Sequence, residues 1–273
     1  MSLPSLADLA IAAWRWLEYA GLLGFVGVVV VRRLAAMRPE ITWACPSMQP
    51  ALAAALIGGL AVVSVDAVRV GHPSVFGVVR VAAEGVALGL CMLGHRLLTP
   101  HSPTLSPQGR GGSLVVPPGI FAAAALAFAG HAASVNPAAG AIFTDATHVL
   151  SAGAWAGGIL VLATLRPPDG WGADEGRALL QRFGRVAFLA FTITALTGVL
   201  RATEELRGLD DLWGTPYGVV LSLKTAGVLI MVAMSVLVWR RGFQLARAEG
   251  ALVLIVLAAT AMLAAFPMPP GQA

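Results

Sequence analysis

Apolar runs of about twenty residues recur along the chain, separated by short polar turns. The hydrocarbon core of a bilayer offers no water to satisfy backbone N–H and C=O groups. A run of that length therefore reads as a helix that crosses it. Eight such segments are predicted, at about 11–31, 50–70, 75–98, 114–134, 141–165, 183–200, 216–239 and 250–267. The breaks carry turn chemistry: Gly71-His72-Pro73, Asn136-Pro137, Arg166-Pro167-Pro168 and Gly214-Thr215-Pro216. The stretch from Thr99 to Pro118 is rich in Pro, Ser and Gly and is expected to be a loop. The pattern predicts an all-α membrane protein, a bundle of about eight transmembrane helices forming a single polytopic domain over residues 1–273.

Charge changes this picture by orienting it. Twelve of the eighteen Lys and Arg residues fall after odd-numbered segments, in the groups Arg32 to Arg38, Arg96 to Arg110, Arg166 to Arg185 and Arg240 to Arg247. By the positive-inside rule those ends are cytoplasmic, so both termini are expected outside. The net charge of +4 does not point to nucleic acid, because the basic residues lie in short clusters between apolar runs. Composition agrees: 58% of residues are hydrophobic and 12% charged, about half the ~25% usual in soluble domains. No Lys or Arg precedes Arg15, so a basic leader region is missing and the first segment is expected to remain as a helix. Two cysteines, Cys45 and Cys91, are too few for a disulfide framework, and both fall on the cytoplasmic side, where thiols stay reduced.

Ionisable groups inside spanning segments are costly and mark function by default. Arg15 and Glu18 lie on the first segment, Asp66 and Arg69 on the second, Arg80 and Glu84 on the third, and Lys224 on the seventh. The alternative is that these groups form ion pairs locking helices together: Arg80 and Glu84, four residues apart, can share a helix face, and Arg15 and Glu18 can also simply reach the interface. Histidine gives the sharper pattern. Segment four ends outside at His131, and segment five begins outside with Asp145-Ala146-Thr147-His148. A spacing of three puts Asp145 and His148 on one helical face. A short connection makes the two segments antiparallel neighbours, placing His131 and His148 at similar depth. Two imidazoles and a carboxylate suit a transition-metal site, with Asp145 either a ligand or the partner that orients a ligating ring. His72, in an outer turn, is a third nitrogen ligand, an outer capture group or a solvated turn residue. Met268, past the last segment on the same side, is a soft donor or a space-filling side chain. Softer donors regroup at the inner end: Cys91 and His95 at four-residue spacing, and Cys45 in the preceding loop.

Several chemistries lack their parts. There is no Gly-rich phosphate loop followed by Lys-Ser/Thr, no paired CxxC, no HExxH and no CxxCH haem-attachment string. Ser151 has no nucleophile elbow around it. An enzyme is therefore not expected.

The strings GHAASVNP, DATHVLSAGAWAGG, RFGRVAFLAFTITALTGVL and TPYGVVLSLKTAGVLI, followed by an apolar segment ending FPMPP, resemble the CopD/PcoD copper resistance proteins of bacterial inner membranes. The resemblance covers about residues 130–270 and is specific in order and spacing. It implies a multi-pass protein of the inner (cytoplasmic) membrane with a role in copper homeostasis. Its cargo would be copper, as Cu(I) or Cu(II), transported between periplasm and cytoplasm. It places that role on His131, Asp145 and His148. The periplasmic copper-binding domain appended in some relatives is not expected here, so a separate periplasmic copper protein is an expected donor and a cytoplasmic copper chaperone an expected acceptor. Two other functions fit the same residues: a membrane redox protein with haem or metal between His131 and His148, and a non-transporting copper-insertion partner of another membrane enzyme.

Overall fold

The computed structural model describes residues 6–97, 111–129, 138–205, 208, 210–241 and 246–265. The regular structure among the described residues is helical, with no strand among them. Helix α1 runs Leu6–Ala35, α2 Gln49–Val70, α3 Val75–Leu97 and α4 Gly111–Ala125, the last extended by a 3-10 turn at Leu126–Ala129. Helices α5 (Ala138–Ala152) and α6 (Gly158–Thr164) form one rod joined by a π-helical turn at Gly153–Gly157. Helix α7 (Asp174–Glu205), the short α8 (Asp211–Gly214), α9 (Pro216–Arg241) and α10 (Ala246–Ala265) complete the chain. Each predicted apolar segment has its helix. Six of these, α2, α3, the α5–α6 rod, α7, α9 and α10, are long and apolar enough to cross a membrane. The protein is an all-α membrane bundle.

Local chemistry sets the helix ends. Gly71 closes α2 at φ 85°, a left-handed conformation that costs glycine nothing, and its N–H bonds to Ala67 O. Leu165 turns extended just ahead of Pro167 and Pro168, ending α6. Thr215 is extended before Pro216, as a residue preceding proline prefers. Two boundaries differ from expectation. Pro117 and Pro118 lie inside α4, which starts at Gly111, so the predicted Thr99–Pro118 loop is cut short at its C-terminal end. Neighbouring helices in lipid can support such prolines. Helix α7 begins nine residues before the apolar run at 183. Its polar first turns carry Arg182, which donates to the carbonyls of Leu34, Met37 and Pro39 and satisfies the C-terminal end of α1.

Helix α1 is the axis of the bundle, packing against α2, α4, α5, α6, α7 and α10. Helices in lipid gain little from apolar burial against one another, so close backbone approach and interhelical bonds carry association. Small residues supply the approach. Gly21 on α1 lies against Ala51 and Ala55 of α2, and Gly58 on α2 lies against the α1 backbone at Trp14 and Glu18. Gly27 on α1 touches the backbone of Gly157 in the π turn, and Gly158 faces the Phe183 ring. A Cβ at any of these would overlap its neighbour. Leu22, Phe25 and Val31 of α1, Leu52 of α2, Leu179 of α7 and Val253 of α10 fill the centre. The opposite surface is apolar too: Phe188, Leu189, Leu196 and Val199 on α7, and Leu223, Leu229 and Ile230 on α9, all face outward. Lipid tails, not water, solvate such a face.

Candidate metal centre

Helices α5 and α7 meet along a polar seam of three rungs. Asp145, His148 and Ser151 recur every three residues on one face of α5. Helix α7 answers in antiparallel order. Arg201 Nε stands 2.7 Å from Asp145 Oδ1. Thr197 Oγ1 is 2.9 Å from His148 Nδ1. Thr194 Oγ1 donates to Ser151 Oγ at 2.8 Å. Below the third rung the π turn begins, and Trp155 sits edge-on against Phe191 with ring centroids 4.9 Å apart. Gly198 lies beside the ring: a Cβ there would stand 3.4 Å from His148 Cε1, at ordinary contact distance.

The rung at His148 favours one tautomer. The Thr197 hydroxyl has one proton and lies 2.7 Å from Ile193 O, which can accept it. An oxygen that spends its proton there accepts from the ring, which favours the hydrogen on Nδ1 and the lone pair on Nε2. That is the form in which imidazole binds a metal ion, with the second nitrogen fixed by a hydrogen bond. Lys224 on α9 and Arg201 lie within electrostatic reach of the ring. Because α5 starts at Ala138, His148 is ten residues into the helix, about 15 Å along it and deeper than the sequence expectation of an outer end.

The other expected donors distribute as follows. His131 and Met268 lie outside the described residues. His72 is exposed in the α2–α3 turn. Cys45 is exposed in the loop after α1, Cys91 is half-buried on α3, and Arg32 at the end of α1 is within electrostatic reach of Cys91. Helix α3 includes His95, whose side chain is outside the described ones. Among the described residues no three His, Cys, Asp or Glu side chains converge as a metal cluster. The structure thus brings Asp145 and His148 onto one seam, with Asp145 held by Arg201 and the ring held by Thr197. A shallow cavity lined by Trp43, Pro167, Asp174 and Glu175 lies at the far end of α7, remote from the seam. Arg201 was legible only as a basic residue in a loop count, and nothing in its local string signals the partner 56 residues away.

A second polar centre lies where α1, α2 and α3 cross. Asp8 pairs with Arg69 at 3.0 Å, Arg15 with Asp66 at 4.0 Å, and Arg80 Nε stands 2.7 Å from Glu18 Oε1. Arg15 also donates to Ala264 O of α10. The ion pairs thus lock helices together, as one reading of the sequence expects, with Arg15 meeting Asp66 and α10 rather than Glu18. Arg80 with Glu84 survives only as a longer contact at 4.0 Å.

These features define a multi-pass membrane protein with a hydrogen-bonded histidine inside its bundle. Residues 177–266 match the family of copper resistance protein D, CopD. The chain is also 32% identical over 162 residues to "Copper transport protein CutJ" of Bacillus subtilis (strain 168), covering 55% of this chain and 29% of that protein. It thus spans less than a third of that relative's length. No solved structure matches the chain. Thr194, Thr197, Arg201 and Lys224 fall inside the segment matched by the family, whereas Asp145 and His148 precede it.

Proposed function

We propose that this protein is a copper permease of the bacterial inner membrane, passing the ion from the periplasmic face toward the cytoplasm, and not an enzyme. The observation that carries the reading is the α5–α7 seam, where Thr197 bonds His148 Nδ1 inside an apolar bundle, an arrangement that favours a lone pair at Nε2. The CopD match across α7, α9 and α10 supports copper as the ion. In this reading both termini are outside and His131 joins His148 as a second nitrogen ligand for Cu(I) or Cu(II). Asp145, tied to Arg201, fixes the pitch of α5 against α7 instead of binding the metal. Cys91 and Cys45, at the end of the bundle marked by Arg32, receive the ion for a cytoplasmic chaperone. A periplasmic copper protein delivers it.

Copper uptake into proteoliposomes tests this. Wild type should load copper, and His131→Ala, His148→Ala and the double variant should all fail to the same degree, because losing either ligand dismantles one site. Uptake that survives the double substitution would overturn the assignment.

A further inference from the structure

The α1–α2–α3 centre holds more negative charge than positive. Glu18, Arg80 and Glu84 have side-chain exposures of 1%, 4% and 0%, so two carboxyl groups share one guanidinium out of reach of water. Both oxygens of Glu84 lack a hydrogen-bond partner among the described residues. Arg80 Nε is close to Glu18 Oε1, but the pair misses the alignment of a hydrogen bond, so Glu18 Oε1 is also unsatisfied. Helix α2 leaves room for this. A Cβ at Gly59 would stand 2.6 Å from Glu84 Oε2 and 3.0 Å from Glu18 Oε1, so the two carboxyl groups converge on the one place where α2 has no side chain. Gly59 is midway along α2 and Glu84 is nine residues into α3, which puts the crossing near the middle of both membrane-length helices.

An unpaired carboxylate at that depth is unfavourable, and two carboxyl groups near each other cannot both ionise cheaply. We propose that Glu18 and Glu84 share one exchangeable proton, making this crossing a proton-binding site inside the membrane. With one proton aboard, one carboxylate faces Arg80 and the neutral carboxyl supplies the O–H donor that the orphaned oxygens require. Loading forms an O–H bond on one carboxylate with a proton from water, and unloading returns that proton to water. No electron moves. The pairs Asp8–Arg69 and Arg15–Asp66 form polar steps down the α1–α2 interface toward Glu18, which lies ten residues, about 15 Å of helix, below Asp8. The other titratable or charged described groups facing the site are Arg15 and Tyr19 of α1 and Asp66 of α2. Tyr19 is also within electrostatic reach of Asp145, so α1 stands between this centre and the seam. The proposal does not depend on what the seam binds.

Infrared spectroscopy of the full chain in lipid vesicles tests it. Glu249 is a third buried carboxyl group, bonded to Ser235, so the measurement uses a Glu249→Gln background. A protonated-carboxyl stretch that shifts in deuterated water is expected at neutral pH and should vanish at alkaline pH. Glu84→Gln and Glu18→Gln should each abolish it, since either leaves one carboxylate for one arginine. Glu84→Asp should keep the band and move it. Absence of the band before any substitution in the site overturns the proposal, and that result needs no site variant to fold. A band unchanged in both Gln variants overturns it as well. So does a carboxylate signal that responds to sodium or potassium instead of pH, which would assign the crossing to a metal cation.

Discussion

The α5–α7 seam and the α1–α3 crossing are both polar, both inside the bundle, and opposite in how they balance. In the seam each polar side chain on α5 has a counterpart one rung across on α7. Its charges come as one pair, Asp145 with Arg201, and its histidine is bonded at Nδ1 to a hydroxyl. What remains over is a single nitrogen lone pair. In the crossing, charges are buried almost completely, the carboxyl groups outnumber the guanidinium, and four side-chain atoms are left without hydrogen bonds. A site with matched partners and one spare lone pair suits a Lewis acid. A site with excess negative charge and spare acceptor oxygens suits a proton. The two chemistries occupy different helices: α1, which carries Glu18 of the crossing, packs against α5 and α7 of the seam.

Removing an arginine from each region should separate them most clearly. Arg80→Leu strands two carboxyl groups around a site with 4% exposure at Arg80 and should cost about 3 kcal/mol or more, the scale for breaking a buried pair. Arg201→Leu leaves Asp145, whose side chain is 19% exposed, and should cost about 1 kcal/mol. Unfolding midpoints of both variants in mild detergent measure the gap. Equal losses would mean that the crossing is no more deeply buried in the folded membrane protein than the seam.

Copper binding should respond in the reverse order. His148→Ala should weaken equilibrium copper affinity by about 100-fold or more. Thr197→Val, which keeps the side-chain volume but removes the acceptor for Nδ1–H, should weaken it about 10–100-fold. Thr197→Ser should restore most of the loss, because only the hydroxyl is needed. Arg80→Gln, if folded, should leave affinity within a few-fold of wild type. Competition titration with a copper chelator measures all four. A Thr197→Val protein with unchanged affinity would remove the tautomer argument and return His148 to an ordinary interhelical bond.

Much of this architecture is legible in sequence because lipid demands long apolar runs, and those survive in any single string. Asp145 and His148 are legible for the same reason: a polar residue stands out in such a run. Their partners are not, because which helices face one another is decided by contacts such as Gly27 on Gly157 that no local pattern reveals. Local spacing pairs Arg80 with Glu84, four residues on, yet the closer carboxylate is Glu18, 62 residues back. Spacing also pairs Arg15 with Glu18, yet Arg15 turns to Asp66 and to α10. The early start of α7 was hidden because its first turns are polar and work as a cap for α1 through Arg182.

The smallest expected effect sharpens the line between site and scaffold. The string TPYG belongs to the same resemblance that contains His148, but its structural work is at a helix start. Thr215 is extended, its hydroxyl accepts from Gly218 N at 2.9 Å and donates to Asp211 O at 2.8 Å, and Pro216 occupies the first helical position without an N–H to satisfy. The hydroxyl therefore caps α9 and ties it to α8. Gly218 is small because a Cβ there would overlap the Asp211 carbonyl. Thr215→Ala should cost about 1 kcal/mol, the usual loss for an N-cap, and Thr215→Ser should cost only a fraction of that. Neither should change copper affinity, since α9 keeps its length and Lys224 remains two turns further on. Midpoints and copper titrations on the same preparations decide it. If Thr215→Ala weakened copper as much as Thr197→Val does, the start of α9 would be part of the metal site, and the seam would have to be redrawn to include a third helix.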